Sequence, residues 1–120
     1  MDIRERVAGT VVVVEPLGRM VLSEYPIEAL KDRVAAQLRD GRRQFVLNLN
    51  QVSQMDTTGL AAVVTAYIAV QKQQGTVALV NPQTRVRELL RVTKLDTLFQ
   101  VFNREDDAVE SLTQQSQTQS

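Results

Sequence analysis

The chain has 120 residues, of which 43% are hydrophobic and 4% aromatic, so it suits a single domain with an aliphatic core. Fourteen basic residues balance fourteen acidic residues, which excludes the strongly basic surface typical of nucleic-acid-binding domains. Cys and His are absent, which excludes disulfides, Cys nucleophiles, His bases and metal sites built from thiolate or imidazole.

The N-terminal segment, residues 1–6, is charged and lacks the apolar stretch of a signal peptide. No apolar run elsewhere approaches the ~20 residues needed to span a bilayer. We therefore expect a cytoplasmic protein without direct membrane insertion. Its balanced charge favours a protein or a small molecule as partner, and no nucleic acid.

Two β-strands are predicted at the start of the chain, joined by a turn at Gly9. In residues 3–7, the apolar Ile3 and Val7 flank charged side chains, a pattern compatible with a strand that has one solvent-exposed face. Residues 11–17 include four consecutive valines. A β-branched run without alternation is typical of a strand that is covered on both faces.

Two helices and two further strands are predicted in the middle of the chain. Pro26 suits the first turn of a helix that ends at Gly41, and apolar residues recur between them at helical spacing. Residues 45–49 form the third predicted strand. The second helix begins at a turn around Asp56 and ends at Gly75, and residues 77–80 form the fourth strand.

The last part of the chain predicts a third helix around Val86, a short fifth strand near Val101 and a final helix capped by Asp106. Strands that alternate with helices after an initial hairpin indicate an α/β fold with parallel crossovers. We expect one domain, residues 1–112, with a mixed sheet of about five strands and helices packed against it. Residues 113–120 are polar and predict a disordered tail.

The turn Asp56-Thr57-Thr58-Gly59 is the strongest candidate for function. Asp56 or Thr57 suits the N-cap, and Gly59 allows the first helical turn to approach other backbone. The positive end of the helix, with its unpaired N–H groups, tolerates a phosphate on a threonine. The tetrapeptide alone is more typical of a plain helix cap than of a functional site.

The context of this turn resembles the STAS domain family, and within it the bacterial anti-sigma-factor antagonists. An apolar strand ending in Leu47-Asn48-Leu49 is followed by Val52, Met55 and Asp56-Thr57-Thr58-Gly59-Leu60. The family has Asp-Ser-Ser/Thr-Gly-Leu at that point. Residues 17–20 and 86–99 are also similar to the family, and the resemblance extends over residues 2–112.

The resemblance implies a phosphorylation-controlled binding switch. Thr57 occupies the position of the phosphorylated hydroxyl, with Thr58 as the second candidate. The expected partner of the unphosphorylated form is an anti-sigma factor that is also a serine-threonine kinase, whose capture frees the sigma factor, and a phosphatase resets the switch. The implied partner surface comprises the phosphorylation turn, Asp56-Thr57-Thr58-Gly59, together with Val21 and Ser23. The adaptable side chains of Met20 and Met55 also suit a protein contact, although Met55 suits the core equally well.

An alternative function remains open because Val21 stands where the family usually has Asp. A non-switching STAS scaffold, or the STAS subunit of a lipid-transport ATPase complex, fits that departure. An enzyme is not expected, since His and Cys are absent and only isolated carboxylates are present. The sequence contains no glycine motif typical of nucleotide binding, so no cofactor is predicted.

Overall fold

The computed structural model describes the backbone of residues 1–118 and the side chains of residues 1–115. Its strands are β1 (Asp2–Ala8), β2 (Val11–Met20), β3 (Gln44–Asn48), β4 (Val52–Met55), β5 (Thr76–Val80) and β6 (Gln100–Phe102). Its helices are α1 (Pro26–Arg39), α2 (Thr57–Lys72), α3 (Thr84–Val92) and α4 (Glu105–Thr118). Short 3-10 turns occupy Leu22–Glu24 and Leu95–Thr97.

The strands form one mixed sheet in the order β1-β2-β3-β5-β6, with β4 added beside β2. β1 and β2 pair antiparallel as a hairpin, and all the other pairs are parallel. This arrangement confirms the predicted α/β fold with a mixed sheet. The sheet has six strands, one more than the sequence pattern indicates.

The additional strand, β4, continues along the edge of β2 that β3 occupies first. β3 pairs with residues 11–14 of β2, and β4 pairs with residues 18–20, with a register shift between Gly18 and Arg19. Gly18 has a φ of +91°, a conformation that residues with a side chain rarely adopt. β4 therefore directs the chain to the C-terminal end of β2, where α2 begins.

Helices cover both faces of the sheet, as the valine run of β2 predicts. Val12 and Val14 belong to the core cluster that includes residues of α1, α2 and α3. Val11 and Val13 point the other way and pack in a cluster with Ala108 and Leu112 of α4. All four valines are buried, so the strand is covered on both sides.

Helix α4 differs from its prediction at both ends. It begins at Glu105, so Asp106 lies within the first turn and is not the cap. It also runs past residue 112 to Thr118, because acidic residues at its start and good helix formers such as Gln favour a longer helix. The predicted tail thus begins in helix, and its last residues, 119 and 120, lie outside the described residues.

Candidate functional site

The turn between β4 and α2 is an N-cap formed by Asp56. Its backbone is extended, with φ −110° and ψ −170°, and its Oδ1 accepts a hydrogen bond of 3.0 Å from the Gly59 N–H. The Asp56 carbonyl accepts from the Leu60 N–H at 3.0 Å and so starts the helical ladder. Of the two caps that the sequence allows, Asp56 is the one that the structure uses.

The second carboxylate oxygen of Asp56 contacts a distant segment of the chain. Oδ2 accepts a hydrogen bond of 3.0 Å from the backbone N–H of Leu22, which begins the 3-10 turn after β2. The Asp56 N–H donates to the Met20 carbonyl at 3.3 Å. A single side chain therefore fixes two loops relative to each other, the one before α1 and the one before α2.

These hydrogen bonds stabilise the charged form of the carboxylate. The Gly59 N–H, and after it the Leu22 N–H, hold the pKa of Asp56 below its ordinary value. Since the folded-state pKa lies below the unfolded-state value of about 3.9, the charged group stabilises the fold fully above that pH. The stabilisation is lost as the pH falls through the folded-state pKa.

Asp56→Asn is expected to lower the melting temperature at pH 7 by roughly 3–6 °C. An amide oxygen can still accept from the Gly59 N–H, but the NH2 group cannot accept from Leu22. Melting curves of both proteins between pH 3 and pH 7 should show a temperature difference that narrows below about pH 4, where protonation of Asp56 begins to reduce the contribution of its charge. A temperature difference that stays constant across this range would contradict the role assigned to the charge.

Gly59 lies where the first turn of α2 contacts the end of β2. A β-carbon at this position would lie 2.1 Å from the Met20 carbonyl oxygen and 2.7 Å from Cγ of Met55. Real β-carbons do not approach other atoms so closely, so only glycine fits without a backbone shift. The predicted close approach at Gly59 is therefore present, and it fixes the start of α2 on the sheet.

The two threonines differ in accessibility. Thr57 is the first helical residue and is exposed, whereas Thr58 is half-buried. A phosphoryl group on Thr57 would lie at the helix N-terminus, where unpaired N–H groups and the helix dipole favour negative charge. The geometry thus favours Thr57 over Thr58 as the residue that a modifying enzyme can reach.

The predicted partner-surface residues separate into two groups. Ser23 is exposed, and Val21 and Met55 are half-buried, so all three can contribute to a surface beside the turn. Met20 is 0% exposed, and its assignment to the surface is wrong. Successive side chains of a strand point to opposite faces of the sheet, and that of Met20 points from β2 into the core below α2.

Sequence reasoning missed two exposed residues beside the site, Leu22 and Tyr25. Both lie at the 3-10 turn whose N–H contacts Asp56, and both are largely exposed. Single exposed apolar residues carry no periodic pattern, so the only available signal was their position in a short loop before Pro26.

The part of the chain that the structure describes offers neither a metal cluster nor a helix that could cross a membrane. Residues 1–118 contain no group of three or more Asp, Glu, His or Cys that could hold a metal ion. Over the same residues, none of the helices has the length and apolar character needed to cross a membrane.

Comparisons with known proteins place this geometry in a family. The STAS domain pattern matches residues 4–108. The anti-sigma-B factor antagonist of Staphylococcus aureus is 29% identical over 80 residues, which are 67% of this chain and 74% of the relative. Other curated relatives are matched over 66% and 76% of their length.

Solved structures share the fold. An anti-sigma factor antagonist from Mycobacterium paratuberculosis superposes with a TM-score of 0.81 at 23% identity, over 93% of both chains. The anti-sigma factor antagonist SpoIIAA, in its unphosphorylated form, gives 0.80 at 18% identity, over 93% of this chain and 96% of that one. Since the family pattern covers most of the sequence, the chain belongs to the STAS domain family, and the relatives it resembles are bacterial anti-sigma-factor antagonists.

Proposed function

We propose that this protein is an anti-sigma-factor antagonist that acts in the cytoplasm as a phosphorylation-controlled binding switch. The unphosphorylated form binds an anti-sigma factor that is also a serine-threonine kinase, and this binding frees the sigma factor. Phosphorylation of Thr57 ends the binding, and a phosphatase restores it. The protein works by binding and catalyses no reaction itself.

The observation that carries the proposal is the exposed Thr57 hydroxyl at the start of α2, directly after the Asp56 cap. A phosphate adds a charge of about −1.5 to −2 and three acceptor oxygens at one point of the surface. The helix N-terminus tolerates that charge, so the fold persists. The charge and hydrogen-bonding groups of the surface that a partner contacts are changed. A switch of this kind needs no large conformational change.

The relatives support the proposal. The S. aureus relative is an anti-sigma-B factor antagonist, and SpoIIAA of Bacillus has also been solved in a phosphorylated form, which superposes on this chain with a TM-score of 0.72. Both the unphosphorylated and the phosphorylated neighbour therefore share this fold. The kinase, the phosphatase and the phosphorylated residue are our proposals for this chain.

The test is incubation of the purified protein with ATP and each kinase-type anti-sigma factor of the source genome, followed by mass spectrometry. We expect one phosphate, on Thr57. Thr57→Val should lower the incorporation of phosphate at least about tenfold, because valine keeps the shape of the threonine side chain and lacks its nucleophilic oxygen. Thr58→Val is the matched control and should be phosphorylated as the wild type is.

Two results would contradict the proposal. Phosphate that persists on the Thr57→Val variant would assign the modification to another residue. Failure of every kinase to modify or bind the protein, with co-purification of membrane ATPase subunits, would favour the non-switching alternative.

A further inference from the structure

The 3-10 turn beside the Asp56 cap presents an unusual pair of side chains to solvent. Leu22 and Tyr25 are 68% and 71% exposed, more than any other large hydrophobic residue that the structure describes. They are three residues apart, on one short turn. Exposed apolar side chains that occur singly need no explanation, but two on the same short turn beside a candidate functional site indicate a contact surface.

The backbone holds these side chains in place. The Glu24 N–H donates to the Val21 carbonyl at 2.9 Å, and the Tyr25 N–H donates to the Leu22 carbonyl at 3.2 Å. Tyr25 adopts the left-handed conformation, with φ +53° and ψ +51°, directly before Pro26. A tyrosine is strained there, and glycine or asparagine would be less so, which favours a role for the aromatic side chain itself.

The same turn is joined to the phosphorylation turn. The Leu22 N–H donates to Asp56 Oδ2, and Thr57 follows Asp56 directly. Since both Asp56 oxygens accept backbone hydrogen bonds within the protein, this carboxylate serves as a positioning group. The exposed pair and Thr57 therefore lie on two turns that the Asp56 carboxylate holds together.

The chemistry of this surface fits a protein partner with an apolar pocket. The Asp56 carboxylate accepts hydrogen bonds from the Leu22 and Gly59 N–H groups, and the charges of Arg19 and Glu24 face each other at 3.7 Å. The exposed side chains of the two turns include the aliphatic Leu22, the aromatic ring of Tyr25, and the two residues with hydroxyl groups, Ser23 and Thr57. Tyrosine and large apolar residues are the usual anchors of protein interfaces.

We propose that Leu22 and Tyr25 are the hydrophobic anchors through which the kinase-type anti-sigma factor holds this protein while it contacts Thr57. This inference rests on the proposed function and names the contacts that determine its partner specificity. Asp56 fixes the distance between the anchors and the hydroxyl.

The test uses the anti-sigma factor that phosphorylates the wild-type protein. Leu22→Ala and Tyr25→Ala should each weaken its binding about tenfold or more in calorimetry. They should raise KM for phosphorylation while kcat changes little, since Thr57 itself is intact. Both variants should melt within a few degrees of the wild type, because the truncated side chains are exposed.

Val7→Ala is the matched control. Val7 is a half-exposed apolar residue of β1 that pairs with Val12, eight residues before Met20 on β2. At ~3.3 Å per residue it lies roughly 26 Å from the site along that strand. Its variant should bind within about twofold of the wild type.

The outcomes separate this inference from the proposed function. Wild-type binding that Thr57→Glu abolishes, but that both alanine variants retain, would overturn the anchors and leave the switch intact. A wild type that binds none of the kinases would overturn both. A dimer that dissociates on Leu22→Ala, with unchanged kinase binding, would assign the pair to a second copy of the chain and also overturn the inference.

Discussion

Gly59→Ala is expected to lower the free energy of unfolding by about 3 kcal/mol, the upper end of the usual cost of overpacking. The new methyl group would meet the Met20 carbonyl oxygen at 2.1 Å. That atom is backbone and also accepts the Asp56 N–H, so it cannot rotate away as a side chain would. Either the start of α2 moves off the sheet or the end of β2 is displaced. Urea denaturation followed by circular dichroism measures the loss.

Gly41→Ala is the control that separates a steric clash from backbone strain. Gly41 has a φ of +91°, and a β-carbon there would meet nothing within 4 Å. The free energy of unfolding of this variant should therefore fall by only about 1 kcal/mol, which is the cost of placing alanine in the left-handed conformation. Equal losses in the two variants would show that the contact between Gly59 and Met20 does not determine the position of α2.

The parts of the fold that the sequence predicts well are those in which burial imposes a local pattern. The valines of β2 are consecutive because helices cover both faces of that strand. In α1, Leu30 and Val34 recur at helical spacing because only one side of the helix contacts the core. In both elements the environment repeats along the chain, and the residue types repeat with it.

The parts that the sequence does not predict depend on contacts between distant residues. β4 is only four residues long, and its Ser53 and Gln54 are exposed, so it shows no apolar periodicity. Its place in the sheet depends on pairing with β2. The sequence around Met20 predicts a loop. In the structure β2 extends through Met20, and the first turn of α2 packs against it.

The candidate site shows the same division. The N-cap at Asp56 is predictable because the cap and the Gly59 N–H are three residues apart. The hydrogen bond from Leu22 crosses 34 residues and has no local signal. A sequence can therefore identify the turn at Asp56, but the position of the exposed Leu22 and Tyr25 beside it becomes apparent only when the two loops are brought together.

Thr57→Glu is expected to weaken binding to the kinase-type anti-sigma factor about hundredfold, because a charge desolvated in an interface without a partner costs several kcal/mol. The variant should not be less stable than the wild type. Thr57 is the first residue of α2, where a carboxylate interacts favourably with the helix dipole. Calorimetric binding measurements and melting curves on the same preparation distinguish a lost contact from a lost fold.

Thr57→Gln is the matched variant, since it has the size of glutamate and no charge. If negative charge is what the partner rejects, the glutamine variant should bind about tenfold or more better than the glutamate variant. Equal binding by both would show that the partner rejects bulk at this position. A phosphate would then act by occlusion, and its charge would not be what ends the interaction. The comparison therefore tests whether electrostatics or shape transmits the state of Thr57 to the partner.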